Sequence, residues 1–546
     1  MAEENKKNSS SEDSANKTLS KDKESNKNLK DKEEKKKYPK NRTAEQIENE
    51  TESFKLTKSL QENIDLFNTV IFNDDDSIVF RVFQNKKSDA KFCIFFVDGM
   101  IDNLIVNKNV VNPIINSSLD KDVDSNDIPN YLMNKVIDSN SVRITSDIDK
   151  IIDSVTYGDT ILLSEGSNKA LIIDTKGWNT RAVTEPQGER IVRGPREGFT
   201  ESLRMNLSMI RRRVRTSRLK LKFKKIGVRT KTDVCIAYIE GIAKPEIIEE
   251  VEKNLDDINI DGVFSTQEID ELISSKYITT FNTVGVSERA DVIARKLLDG
   301  RIAIFCDGSP MVLTIPHIFI EYFQVNEDYY EGYIFSSFNR LIRILGFFAS
   351  ISLPSIYIAA VNFHQELIPT KLLLSIKQAK QGTPFPSLLE LVLLLFTFDV
   401  IREAGIRLPS HVGEAVSIVG ALVLGQAAVD ARIVSAPVVI ITAATGITGL
   451  LIPNIKGSTI TMRAVLLLFT SMLGIYGYIF GLILLLTRLV SMKSFGIPYM
   501  LNIGAVKLRN MKDTCIRLPW WKLNLRDKFI TEDRVRQYSK KSRKRG

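Results

Sequence analysis

Four carboxylates stand where apolar runs end and are the residues best placed to act as acids or bases: Asp98, Glu165, Glu240 and Asp307. Acid–base chemistry would need such groups to converge in a cleft. Each, however, directly precedes a glycine, and an acidic residue before Gly at a strand end is ordinary turn chemistry. The four cysteines, Cys93, Cys235, Cys306 and Cys515, form no CxxC pair, and the first three lie inside apolar, strand-like runs, as reduced core thiols of a cytosolic domain do. Three histidines, His317, His364 and His411, are too scattered for metal-ligand spacing. The chain has no Walker A motif, nucleophile elbow or dinucleotide glycine fingerprint. We therefore expect no enzyme, metal or cofactor, with a membrane-tethered hydrolase using the four carboxylates as the competing reading.

The elements that carry those carboxylates repeat. Lys91–Gly99, KFCIFFVDG, matches Asp233–Gly241, DVCIAYIEG, and places Cys93 on Cys235 about 142 residues later. At the same offset Thr145 falls on Ser287, each expected to cap a helix ending at Gly158 or Gly300, and Glu165-Gly166-Ser167 falls on Asp307-Gly308-Ser309 within a predicted hairpin. The alternation of β-branched runs with amphipathic stretches predicts two similar α/β subdomains in tandem, residues 56–180 and 219–335.

Residues 181–218 between them hold the sharpest motif. Glu185, Pro186, Glu189, Arg190, Arg193, Gly194, Pro195, Arg196 and Glu197 interleave charge with helix breakers, and a helix follows that Thr200 is placed to cap. Its apolar stripe is Leu203, Leu207, Ile210 and Val214, and Arg211, Arg212, Arg213 and Arg215 crowd its C-terminal end. This stretch reads either as a linker with a solvated basic end or as a docking surface for an acidic partner or neighbouring subunit.

Composition divides the 546 residues unevenly, although 43% hydrophobic residues and a mean hydropathy of −0.06 describe an average soluble protein. Residues 1–55 are nearly devoid of large apolar side chains and read as a disordered charged arm. Residues 336–492 carry five apolar runs, Leu341–Val361, Ser387–Ile401, Val412–Val429, Ile433–Pro453 and Ala464–Val490, which exclude a purely soluble protein. The net charge of +9 is concentrated in the tail, residues 493–546, where about fourteen Lys/Arg face about four Asp/Glu after residue 504. A basic tail beside apolar runs reads as a cytoplasmic anchor that can touch anionic lipid, so nucleic acid is not expected. With both termini cytoplasmic the number of crossings is even, four plus one re-entrant segment fitting best. The third run is rich in Gly and Ala yet carries Glu414, Gln426 and Asp430. Val419, Val423 and Gln426 share one helical face, as the wall of an ion path or a tight packing helix would.

These features together resemble the GerA family, the A subunits of bacterial spore germinant receptors. The resemblance rests on Glu185-Pro186, the run Glu189–Phe199, Asn206 with Arg211–Arg213, and Gly413-Glu414-Ala415-Val416 through Gly425–Val429. It covers about Leu60 to Val506; the lysine-rich arm and the end of the tail lie outside it. The resemblance implies an integral protein of the spore inner membrane that oligomerises and conducts cations once nutrient binds. Its implied partners are a transporter-like B subunit and a lipoprotein C subunit. A channel-like stage V sporulation AF paralogue and a secondary transporter are the alternatives.

Overall fold

The computed structural model describes residues 54–117, 127–139, 141–177, 185–186, 188–189, 191–274, 279–407, 425–501, 513–523, 525–533 and 535–536. The first sheet comprises β1 (Ile78–Gln84), β2 (Lys91–Val97), β3 (Val142–Thr145), β4 (Thr160–Ser164) and β5 (Ala170–Ile173), in the order β1-β2-β4-β5-β3. The second comprises β6 (Leu219–Ile226), β7 (Thr232–Ile239), β8 (Gly285–Ser287), β9 (Ile302–Cys306) and β10 (Val312–Ile315), in the order β6-β7-β9-β10-β8. Every pairing is antiparallel, so the α/β patterning is realised with antiparallel sheets. The register repeats as well. Cys93 pairs with Leu163 and Cys235 with Phe305, while Thr145 pairs with Ala170 and Ser287 with Val312, each couple separated by the same 142 positions.

Both faces of each sheet are covered, which explains why β2, β4, β5, β7, β9 and β10 read as continuous apolar runs rather than alternating ones. One face of the first sheet, with Cys93, Phe95 and Ile161, packs against helices α1 (Leu60–Asp65) and α2 (Ile148–Thr156). The equivalent face of the second, with Cys235, Ala237 and Phe305, packs against α3 (Leu203–Arg213) and α4 (Ala290–Leu298). At about 1.5–3 kcal/mol per fully buried large apolar side chain, these faces supply most of the drive that holds the layers together. Cys93, Cys235 and Cys306 are buried free thiols, and burial pushes Cys93 and Cys306 up to about 12.

The caps differ from the sequence expectation. Thr145 and Ser287 end their strands instead of capping α2 and α4, and their hydroxyls accept from the N–H groups of Asp147 (3.1 Å) and Arg289 (3.2 Å), the residues that occupy the caps. Gly158 and Gly300 do close these helices with positive φ, 95° and 81°. Thr200 likewise stands two residues before Ser202, which occupies the cap of α3.

After the second sheet come the longer helices α5 (Tyr333–Ile358), α6 (Thr370–Lys380), α7 (Ser387–Arg407), α8 (Ala436–Leu450), α9 (Lys456–Leu473) and α10 (Ile475–Ser491). Among the described residues one helix, α5 with its π-helical continuation to Phe363, is long and apolar enough to cross a membrane. The run Ala464–Val490 is not one helix. Gly474, at φ 61° and ψ −136°, turns α9 back on α10, in a backbone region only glycine enters readily. The run Ile433–Pro453 shortens to α8, followed by a bend of 107° into the next segment. Most of the run Val412–Val429 lies outside the described residues.

This helical part rests on the second subdomain. Phe347, Ile351, Met462, Leu466 and Leu489 share one core with Ile236, Ile304, Leu313 and Ile315. A short hairpin after α10, β11 (Lys493–Ser494) with β12 (Ile497–Pro498), returns to the same surface, where Ser494 Oγ donates to the Thr283 carbonyl and the Phe319 N–H donates to the Tyr499 carbonyl.

Candidate coupling site

Proline and glycine keep the segment around residues 185–198 irregular, so its polar backbone needs side-chain partners, and the second subdomain provides them. Glu327 Oε1 accepts from the N–H groups of Val192 (3.1 Å) and Arg193 (3.3 Å), and Glu288 Oε2 accepts from Gly188 (3.3 Å). Arg289, only 2% exposed, donates to the carbonyls of Glu189 (3.2 Å) and Pro195 (2.9 Å) and pairs with Asp291 at 2.9 Å. Asp291 also accepts from the Tyr330 hydroxyl at 2.6 Å. The Ser287 hydroxyl donates to Glu189 at 2.6 Å, and burial raises the Glu189 carboxyl above its ordinary range. Gly194 has φ 130°, and a Cβ there would lie 2.7–2.9 Å from Ile191 and the Tyr330 ring, so no side chain fits. The loop is thereby stitched both to the β8–α4 corner and to residues 326–330, which lead directly into α5.

Within this loop Pro186 is buried, whereas Arg193 and Arg196 point outward. Arg196 reaches Glu185 at 3.8 Å, an exposed pair of small energetic value. Glu197 binds Arg213 at 2.5 Å and Arg212 at 3.7 Å, which ties the loop to the basic end of α3. Arg190 lies outside the described residues.

That basic end is not simply solvated. Arg211 is fully buried and bonds Asp75 of the first subdomain, Ser77 Oγ (3.0 Å) and the Leu219 carbonyl (3.0 Å). Asp75 is held in turn by the N–H (3.1 Å) and hydroxyl (2.7 Å) of Ser77. Around this pair Asp76 N–H donates to the Leu221 carbonyl, Phe223 N–H donates to Asp76, and the buried Lys220 donates to the Ile71 carbonyl, its pKa lowered by burial. Residues 71–77 thus lock the first subdomain onto β6 and α3 of the second.

The entry to α5 forms a third cluster. Asp328, 3% exposed, accepts from Arg340 (3.1 Å) and from Arg343, and Arg340, fully buried, also binds Asp513 of the tail at 3.1 Å. A cleft of about 900 Å³ opens beside it, with Glu189, Arg289, Lys296, His317, Glu321 and Tyr329 among its lining. Glu321 is buried, which alone would raise its pKa, but Arg301 (2.7 Å), Lys296 (3.1 Å) and His317 (3.3 Å) hold it well below the carboxylate range.

Two carboxylates of the helical part are paired. Glu390 of α7 is fully buried and accepts from the Ser435 N–H (3.1 Å) and hydroxyl (2.8 Å) at the start of α8 and from Thr383 (2.9 Å). Asp399 of α7 binds Arg463 of α9 at 2.7 Å and Arg402 at 3.3 Å. Gln426 and Asp430 lie in a helical stretch, residues 425–430, with exposed side chains. Glu414, Val419 and Val423 lie outside the described residues.

The four strand-end carboxylates have structural partners. Glu165 accepts from the Leu60 N–H (3.1 Å) at the start of α1, and Asp307 accepts from the Leu203 N–H (3.0 Å) at the start of α3. Asp98 pairs with Arg204 at 3.3 Å and Glu240 with the buried Lys220 at 3.5 Å. Among the described residues no group of three or more His, Cys, Asp or Glu is placed to hold a metal ion.

Sequence reasoning missed a second trace of the duplication, Thr-x-Ser-Leu-x-x-Asn at residues 57–63 and 200–206. In both copies a buried Asn accepts from a Thr N–H, Asn63 from Thr57 (2.9 Å) and Asn206 from Thr200 (2.8 Å), and donates back to the same residue's carbonyl (2.8 and 2.6 Å). Its offset, 143, differs by one from that of the strands, which hid it from a search at constant spacing.

The description "Bacillus/Clostridium GerA spore germination protein" matches residues 67–529. Spore germination protein KA of Bacillus subtilis is 36% identical over 485 residues, 88% of this chain and 89% of that protein. Spore germination protein B1 of the same organism is 33% identical over 486 residues, 88% and 99% of the two chains. A Bacillus subtilis membrane protein of uncharacterized role, YfkQ, is 38% identical over 473 residues, 86% and 91%. The crystal structure of the N-terminal domain of the A subunit of the Bacillus megaterium spore germinant receptor GerK3 covers 49% of this chain and 98% of that one, at 29% identity and a TM-score of 0.36. Matched over most of its length, with the arginine-rich loop and the paired sheets included, this chain belongs to the GerA family of spore germination proteins.

Proposed function

We propose that this chain is the A subunit of a nutrient germinant receptor in the spore inner membrane and that it oligomerises into a cation-conducting assembly. A transporter-like B subunit receives the nutrient, and a lipoprotein C subunit completes the receptor. The observation that carries this reading is the core shared by the second subdomain and the helical part. A tilt of the soluble region is passed to α5, α9 and α10 through packed side chains rather than through a slack linker. The loop with Arg193 and Arg196 presents its charged side chains outward from the corner that leads to α5, where a neighbouring subunit can engage them. The segment from Glu414 to Asp430 supplies the path, with Val419, Val423 and Gln426 on its narrow face.

The test is potassium release from spores carrying Val419→Ala or Val423→Ser at matched protein levels. Leak without nutrient is expected, because small or wettable side chains open an apolar constriction. Normal resting and triggered release for both variants overturns the pore assignment. Charge reversal at Arg193 or Arg196 tests the loop: co-purification with the B and C subunits falls, while the unfolding midpoint stays unchanged.

A further inference from the structure

In the first subdomain the chain itself covers the turn that follows β2. Ile101 and Lys176 form an antiparallel bridge, the Gly177 N–H donates to the Met100 carbonyl (3.1 Å) and the Asp102 N–H donates to the Thr175 carbonyl (2.8 Å). The second subdomain repeats β5 as β10, so the residues 142 positions on, His317–Phe319, would be expected to do the same. They are engaged elsewhere. The His317 N–H donates to Ser494 Oγ (3.1 Å) and the Phe319 N–H to the Tyr499 carbonyl (3.0 Å), so this stretch faces the hairpin after α10 instead.

The turn after β7 is nevertheless paired, and its partner is the tail. Ala243 bridges Thr531 in the antiparallel sense, and the Glu532 N–H donates to the Ile242 carbonyl (3.0 Å). Ile242 and Ala243 are the counterparts of Met100 and Ile101 at the 142-residue offset. Thr531 and Glu532 therefore occupy the places of Lys176 and Gly177, with the same hydrogen-bond phase. The fit is close. Ile530 is fully buried in one core with Ala243, Ile247 and Leu255, and Thr531 is 2% exposed. A Cβ on Gly300 would run into the Thr531 methyl, so the glycine that ends α4 also leaves room for the tail. Flanking the paired residues, Arg526 donates to the Leu298 carbonyl (2.7 Å) and Arg536 binds Asp299 (2.6 Å).

We propose that the turn after β7 is a strand-accepting site whose ligand is the chain's own tail segment, residues 525–536, and that this segment completes the second subdomain by donated-strand pairing. Main-chain bonds give the affinity and the seat of Ile530 gives the specificity, as where an extended segment joins a sheet. Without the tail the Ile242 carbonyl loses its partner. The chain that leaves β10 for the helical part thus returns from the far side of it to close the unit it left, and the second subdomain is complete only while the tail is docked.

The test uses the full chain in detergent, with Cys515→Ser as background, the other native thiols being buried. Ala243→Cys combined with Thr531→Cys should form a disulfide within one chain on mild oxidation. Opposed residues of a non-hydrogen-bonded antiparallel pair lie about 4.5 Å apart between Cα atoms, within disulfide reach. The counterpart pair, Ile101→Cys with Lys176→Cys, should cross-link to a similar extent. Absence of the disulfide between positions 243 and 531 overturns the proposal, and a disulfide joining two chains overturns it too, by assigning the donor to a neighbouring copy. A labelled peptide of residues 525–536 gives a second readout. It should bind the Ile530→Asp, Glu532→Pro double variant at least roughly tenfold tighter than the parent, whose tethered tail competes at about millimolar effective concentration. The same peptide methylated on the Glu532 nitrogen should lose that binding, because the donor to Ile242 is gone. Equal binding to parent and variant, or equal binding of the methylated peptide, overturns strand pairing. If the double variant loses the protease resistance of its α/β region, the cross-link alone decides.

Discussion

The Arg211–Asp75 pair joins the two subdomains through a contact from which water is excluded, both side chains being 0% exposed. Asp75→Ala would strand the Arg211 guanidinium with two neutral acceptors nearest it, Ser77 Oγ and the Leu219 carbonyl. Breaking a buried pair on one side costs about 3–5 kcal/mol. At ~1.4 kcal/mol per factor of ten, that is at least a hundredfold shift toward separated subdomains. Arg211→Met alone leaves Asp75 buried but still bonded to the Ser77 N–H and hydroxyl, so its cost should be smaller. In the double variant no unpaired charge remains, and much of the loss should be recovered. The assay is pulse proteolysis of the detergent-solubilised full chain across a urea series, following the α/β region for all four proteins of the cycle. A cost below about 1 kcal/mol for Asp75→Ala, or a double variant whose loss equals the sum of the two singles, would refute the locking role.

Glu321 supplies a pH signature. Its pKa lies well below the ordinary 4.5, so its stabilisation is complete above that value and is lost as pH falls through 4.5 toward the folded value. Glu321→Gln should lower the urea midpoint at pH 7, with the gap to the parent narrowing below about pH 4.5; a gap independent of pH contradicts the assignment. Gly474→Ala puts a Cβ 2.8 Å from Phe363 Cβ and forces a left-handed backbone on alanine, a strain of about 1–3 kcal/mol. Its thermal midpoint in detergent should fall, whereas Gly457→Ala, where a Cβ meets nothing within 4 Å, should be neutral. Asn63→Ala and Asn206→Ala remove the same pair of buried bonds and should each cost about 1–3 kcal/mol. Equal pulse-proteolysis shifts are expected, and a neutral result at either site counts against their equivalence.

The repeat was legible because hairpins and strand cores leave local marks: an apolar run, an acidic-glycine turn and a helix-ending glycine recur at fixed spacing. The sheet order could not be read, since antiparallel pairing between β2 and β4, or between β3 and β5, joins segments with intervening chain and no local signal. Caps were misplaced by two residues because Thr145 and Ser287 use their hydroxyls on the turn before the helix, a bond as available to Ser and Thr as a true cap. The basic end of α3 read as a surface because four arginines in five positions normally face water. Nothing in the local pattern distinguished Arg211, whose partner Asp75 is 136 positions away. Likewise Ala464–Val490 looks continuous by hydropathy, and only the backbone at Gly474 breaks it.

The acidic turn residues have a consequence for how such a protein could arise. In each subdomain the hairpin near the unit's end binds the unit's first helix: Glu165 holds the Leu60 N–H and Gly166 donates to the Lys58 carbonyl, as Asp307 holds the Leu203 N–H and Gly308 donates to the Glu201 carbonyl. Entry and exit of each unit therefore lie side by side. A tandem copy of the gene segment needs no redesign of either core, only a short bridge from one exit to the next entry. The arginine-rich loop occupies that bridge, the stretch freest of packing duties inherited from a single ancestral unit and so the easiest to recruit for a task neither copy had alone.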